Sequence, residues 1–152
     1  MNKKILYRVI NILCLLIMIG TIVWLVAAWD NIPEEIPTHF DYAGNPDSYG
    51  SKTDIIVLPI FAWILYGVMV FVELIPGAWN TGVKVTPENQ VRVYGIIKGM
   101  LVFLKLYIVC LFTLITIFSA LAKSLPVWLL PVELVVIFGT IIVSIVRLYR
   151  AR

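Results

Sequence analysis

The chain has 152 residues, 61% of them hydrophobic and only 14% charged, whereas soluble domains run roughly 45–50% apolar and about 25% charged. That balance excludes an ordinary water-soluble domain. The net charge of +3 gives no support to nucleic-acid binding, because the basic residues are dispersed around the ends of apolar runs.

A membrane-spanning helix needs about 20 mostly apolar residues. The first such run, Ile5–Ala28, follows Lys3, Lys4 and Arg8 and ends in Val26-Ala27-Ala28. It resembles a secretory signal but is longer than the roughly 7–15 residues of a signal core, so it reads as a retained span. Cys14 lies inside it and Cys110 inside the third run; both read as small apolar packing residues.

A loop over residues 30–54 follows, long enough to be folded and functional. It holds Asp30, Glu34, Glu35, Asp41, Asp47 and Asp54 against Lys52, six negative charges and one positive, for a net −5. Asn45-Pro46-Asp47-Ser48 predicts a turn with proline in its favoured second position. Ser51-Lys52-Thr53-Asp54 has the spacing of a capped helix start before the second apolar run, about 55–75, which carries Pro59 in its early turns.

Residues 76–92 form a second loop, in which Thr86-Pro87 predicts a helix N-cap and first helical position. The third span runs over about 93–122 and the fourth over about 128–149, so no room remains for a separate soluble domain. Eight Lys and Arg residues flank the spans on one side (3, 4, 8, 84, 92, 147, 150 and 152) and two on the other (52 and 123). Basic flanks are retained inside, so both termini are expected in the cytoplasm and the 30–54 loop outside. The expected fold is an all-α integral membrane protein, a four-transmembrane-helix bundle in a lipid bilayer with a folded extracytoplasmic loop between helices one and two.

Four ionisable residues fall in or near the spans, where charge points to function or to pairing: Glu73, Lys98, Lys105 and Glu133. Lys98 and Lys105 are seven apart and share a helix face. Lys98 and Glu73 are expected to reach the interface, the lysine by snorkelling, while Lys105 is open between snorkelling and an internal pair with Glu73. Glu133 is expected to be favoured by its helix dipole and paired with Lys123 or Lys52. Gly95 and Gly99 form a G-x-x-x-G, a weak match to a close-packing pattern.

The lone histidine, His39, lies near Asp41 and Asp47, a donor set that could hold a divalent metal but matches no strong ligand signature. The blander reading is an imidazole bonded to loop carboxylates. The stretch Ile32 to Lys52, I-P-x-x-I-P-T-H-F-D-x-x-G-N-P-D-x-x-x-S-K, followed by an apolar helix opening at Pro59, resembles a family of bacterial membrane proteins. That family is the DUF1648 family, best known for its SdpI-like members, immunity proteins against a sporulation-delaying toxin. Pro37, His39, Phe40, Asp41, Gly44, Pro46, Asp47 and Lys52 fall in the stretch that carries the resemblance.

The resemblance implies a protein of the bacterial plasma membrane that resists or detects a secreted peptide toxin, with a cytoplasmic repressor as an implied partner. The immunity proteins are longer, with further helices. Two alternatives stand beside that expectation: a membrane-embedded metal-dependent enzyme using His39 and nearby carboxylates, and a small transporter built around Lys105 and a buried acid.

Overall fold

A computed structural model describes residues 2–152. Four helices are long and apolar enough to cross a membrane, with mean hydropathy between 2.5 and 2.7 over their best windows. They are α1 (Lys3–Ala28), α2 (Val57–Leu74), α3 (Gln90–Ala120) and α4 (Leu129–Tyr149). Between α1 and α2 lies an antiparallel hairpin, β1 (Glu35–Phe40) and β2 (Pro46–Ser51). The chain is a multi-pass membrane protein with an all-α bundle.

α3 is the axis of the bundle, and α1, α2 and α4 each pack against it. Its buried residues recur along its whole length, from Val93 through Val102 and Val109 to Ala120. The outer helices are apolar on their exposed sides as well, with Leu16, Val23, Phe71 and Val135 all turned outward. A helix that is apolar all round requires an apolar surround, here lipid. At roughly 1.5 Å per residue the 31 residues of α3 extend about 46 Å, beyond the ~30 Å hydrocarbon core.

Three apolar clusters stack along that axis. At the hairpin end Leu25, Ile32, Ile36, Ile55 and Ala120 close together, in the middle Ile10, Cys14 and Met18 meet Val102 and Val109, and at the far end Val93, Ile96 and Ile97 meet Leu148 and Ala151. The α2–α3 connection is tied down by Trp79, whose indole N–H donates to the Val72 carbonyl at 2.7 Å and whose ring meets Tyr94 edge to face.

Helix boundaries differ from the sequence expectations in two places. α3 begins at Gln90, not at Pro87: Asn89 accepts from the Thr86 amide at 2.8 Å and donates to the Lys84 carbonyl, so residues 86–89 form a separate turn. At its other end α3 stops at Ala120 without glycine or proline. Ala122 takes the left-handed conformation at φ 49, and the Lys123 and Ala122 amides donate to the Phe118 and Ser119 carbonyls, the pattern of a Schellman closure.

Candidate functional site

The hairpin is seated on the bundle by two consecutive buried residues of β1. Ile36 is buried against Leu25, Ile55 and Ala120, Pro37 is buried beside it opposite Tyr49, and Glu35, Thr38 and His39 remain exposed. Register shifts on both sides of His39 are local bulges, which twist a ribbon and re-aim its side chains. The base is closed by the Lys52 amide donating to the Glu34 carbonyl at 2.9 Å. Lys52 Nζ donates to Glu34 Oε1 at 3.1 Å and lies 5.2 Å from the Trp29 ring.

The turn is not at Asn45–Ser48. Pro46 opens β2, opposite Phe40, and the chain reverses over Asp41-Tyr42-Ala43-Gly44, with the Gly44 amide donating to the Asp41 carbonyl at 2.9 Å. Asp41 organises this turn: its Oδ1 accepts from the Ala43 and Asn45 amides, each at 2.8 Å. Those contacts outcompete the proline template, and proline is tolerated as the first residue of a strand. Gly44 adopts φ +83 and its carbonyl accepts from the Leu125 amide at 2.8 Å. The hairpin tip is thereby pinned to the α3–α4 connection.

The Asn45 amide, with help from the Asn45 side chain and the Ala43 and Gly44 amides, holds the Asp41 carboxyl below its ordinary value of 3.8. A depressed folded-state value stabilises the turn above the unfolded carboxyl range and loses that contribution as pH falls through the folded value. NMR shifts of the Ala43 and Asn45 amides are therefore expected to stay constant from neutral pH down to about pH 4 and to move only below it. A midpoint above that range would show that the two amides do not bind the carboxylate.

His39 Nδ1 lies 2.5 Å from Asp47 Oδ1, and both side chains are substantially exposed. An ionised carboxylate can only accept, so Nδ1 is the donor in this contact. Asp41 is committed to its turn, so the three metal-ligand candidates do not converge. Among the described residues no cluster of three or more His, Cys, Asp or Glu side chains is spaced to hold a metal ion. Glu133 departs from expectation as well: Lys52 is taken by Glu34, no ion pair joins Glu133 to Lys123, and its Oε2 is buried without a hydrogen-bond partner.

Inside the spans, the structure pairs Glu73 with Lys105 at 2.5 Å, which corrects the interfacial placement of Glu73. The side chain of Lys105 is fully enclosed, although Nζ and Glu73 Oε1 are not aligned as a hydrogen bond. Nζ donates instead to Asn11 Oδ1 at 2.7 Å and lies over the Tyr66 ring at 5.4 Å. One lysine on α3 thus ties α1 to α2. Side chains on a helix lean towards its N-terminus, which carries the Lys105 ammonium back towards Asn11 and Glu73. Lys98, one face-repeat earlier, is exposed.

Residues 16–69 match the family model described as "Domain of unknown function (DUF1648)". Over that stretch the chain is similar to the DUF1648 family. No curated protein and no solved structure matches the chain. The matched stretch comprises the second half of α1, the whole hairpin and roughly the first two thirds of α2. Asn11, Glu73 and Lys105 all lie outside it, so the buried charge contact is made by residues flanking the matched stretch. Asn11 and Tyr66 were not foreseen as partners of Lys105; the signal that could have found Asn11 is an amide side chain within an otherwise apolar span. Trp29 and Glu34 were likewise missed, because their roles rest on where the hairpin folds back.

Proposed function

We propose that this protein is a membrane sensing or immunity protein of SdpI-like type, engaging a secreted cationic antimicrobial peptide at its hairpin end. In this reading the chain sits in the bacterial plasma membrane with the hairpin outside and both termini in the cytoplasm. The observation that carries it is the adjacency of an acidic, anchored hairpin to an apolar groove. The groove has a volume of about 770 Å³ and runs between the outer halves of α1 and α2, lined by Trp29, Trp63, Ile60 and Pro59, with Asp30 at its mouth.

A cationic amphipathic peptide matches both halves. Its charges meet exposed Asp30, Glu35 and Asp54, none of which has an ion-pair partner among the described residues, and its apolar face fills the groove. Charge complementarity of this kind chiefly accelerates encounter and weakens with salt. Because the hairpin is fixed at its base by Glu34–Lys52 and at its tip by Leu125, little ordering cost attends binding.

The test uses a synthetic leucine–lysine amphipathic peptide and the full chain in phosphatidylcholine nanodiscs. Binding above that of empty nanodiscs is expected, falling roughly tenfold in the Asp30→Asn/Glu35→Gln variant and falling also in Trp63→Ala. Equal binding to empty discs, or indifference to both variants, would overturn the reading. Orientation is checked in intact cells: an impermeant maleimide is expected to label Ser48→Cys and not Thr86→Cys, and the reverse pattern would put the hairpin on the wrong side for a secreted peptide.

The Lys105–Glu73 contact favours a second reading, a small transporter in which that pair exchanges partners with a solute. Loss of solute flux from vesicles in a folded Lys105→Met variant would support it.

A further inference from the structure

The end of the bundle away from the hairpin gathers cations that the sequence scatters over its full length. A cleft of about 1120 Å³ opens there between the start of α1, the start of α3 and the end of α4. Lys3, Lys4 and Arg8 come to it from α1, Arg92 and Lys98 from α3, and Arg147 and Arg150 from the end of α4, with Glu88 as the one carboxylate. Seven cations against one anion leave +6 in the cleft, and none of the seven has an ion-pair partner among the described residues. Basic clusters that recognise anionic headgroups usually hold about 4–8 Lys or Arg. Retention of flanking charge explains why these residues sit at this end of the helices. It does not require three segments to surround one cavity.

A second feature is continuous with the first. The cleft shares Tyr7, Gly95, Ile96 and Arg147 with a groove of about 490 Å³ that descends between α3 and α4. Gly95, Gly99 and Gly139 line this groove. At Gly95 and Gly139 an added Cβ would meet nothing within 4 Å, whereas at Gly99 it would come within 2.7 Å of the Tyr7 hydroxyl oxygen. The G-x-x-x-G pair therefore does two things: Gly99 lets Tyr7 of α1 approach α3, and Gly95 leaves a channel open. Below Arg147 the lining is mostly apolar, with Val135, Val136 and Val143, and the Ser144 hydroxyl there is spent on the Thr140 carbonyl of its own helix.

We propose that this composite is a binding site for one anionic phospholipid, its phosphate held in the basic cleft and an acyl chain laid in the glycine-lined groove. The cleft supplies the charge preference and the groove supplies the requirement for a lipid instead of free phosphate. The site depends only on the helices spanning a bilayer and not on the peptide reading.

The experiment is native mass spectrometry of the full chain in detergent, titrated with diacyl phosphatidylglycerol, with phosphatidylcholine of the same chains, and with inorganic phosphate. Phosphatidylglycerol is expected to bind at least tenfold more tightly than phosphatidylcholine. Replacing two exposed cations, Lys98→Gln with Arg147→Gln, is expected to weaken it roughly 25-fold, about fivefold for each charge. Gly139→Leu fills the groove into open space without altering charge, so it is expected to weaken phosphatidylglycerol binding while the variant keeps the thermal stability of the parent. Equal affinity for the two lipids would overturn the proposal. So would effective competition by inorganic phosphate, or phosphatidylglycerol binding that ignores Gly139→Leu, either of which would reduce the cleft to a surface attracting any anion.

Discussion

Lys105→Met is expected to destabilise the bundle by about 3–5 kcal/mol, the usual cost of removing one partner of a buried ion pair. The remaining Glu73 would keep a carboxylate whose Oε1 is buried and has no aligned hydrogen-bond donor, and Asn11 would lose the ammonium that it accepts from. The double replacement Glu73→Gln/Lys105→Met removes both charges, and exchanging a buried pair for neutral groups is often close to neutral. The double variant should therefore be markedly more stable than the single one. Denaturant unfolding in detergent, followed by helical circular dichroism, reads the difference. If the single variant matched the parent protein, the two charges would not be meeting inside the bundle.

The second large effect is expected at Gly44. An alanine there incurs roughly 1–2 kcal/mol for the left-handed backbone and about 1–3 kcal/mol for overpacking, because its Cβ would come within 2.5 Å of the Leu125 carbonyl oxygen. Gly82 separates the two costs. It also has positive φ, at +64, but an added Cβ meets nothing within 4 Å, so Gly82→Ala is expected to show the backbone cost alone. The loss at Gly44 should be local: hydrogen exchange over residues 41–50 rises while the helical signal holds. Equal effects for the two alanine variants would mean that the hairpin tip does not rest on Leu125.

The spans were legible because a bilayer imposes a length and a composition that a single sequence displays directly. The hairpin was legible only as a folded loop. Asn45-Pro46 satisfied one turn template while Asp41 and Gly44, an aspartate and a glycine three residues apart, satisfied another; the choice was made by two amides on Asp41 and by contact with Leu125, some eighty residues away. Glu73 and Lys105 could be named as costly charges, but the choice between an internal pair and the interface depends on which helix faces meet. Lys98 shows the same limit in reverse. It shares a face with Lys105, yet that face is closed by α1 and α2 at one level and open to the basic cleft at the other. Six of the seven cations read as isolated topology signals, and Lys98 as a snorkelling lysine, because their convergence is a property of three packed helix ends.

The Gly44–Leu125 hydrogen bond gives the hairpin a mechanical role. Its base rests on Leu25 of α1 and Ala120 of α3 and its tip holds the connection into α4 at Leu125, so it straps the end of α1 to the entry of α4 across the central helix. α4, 21 residues of continuous helix, packs chiefly on α3. A push that lifts the strap would therefore load α4 at its first turn, at the end opposite Arg147.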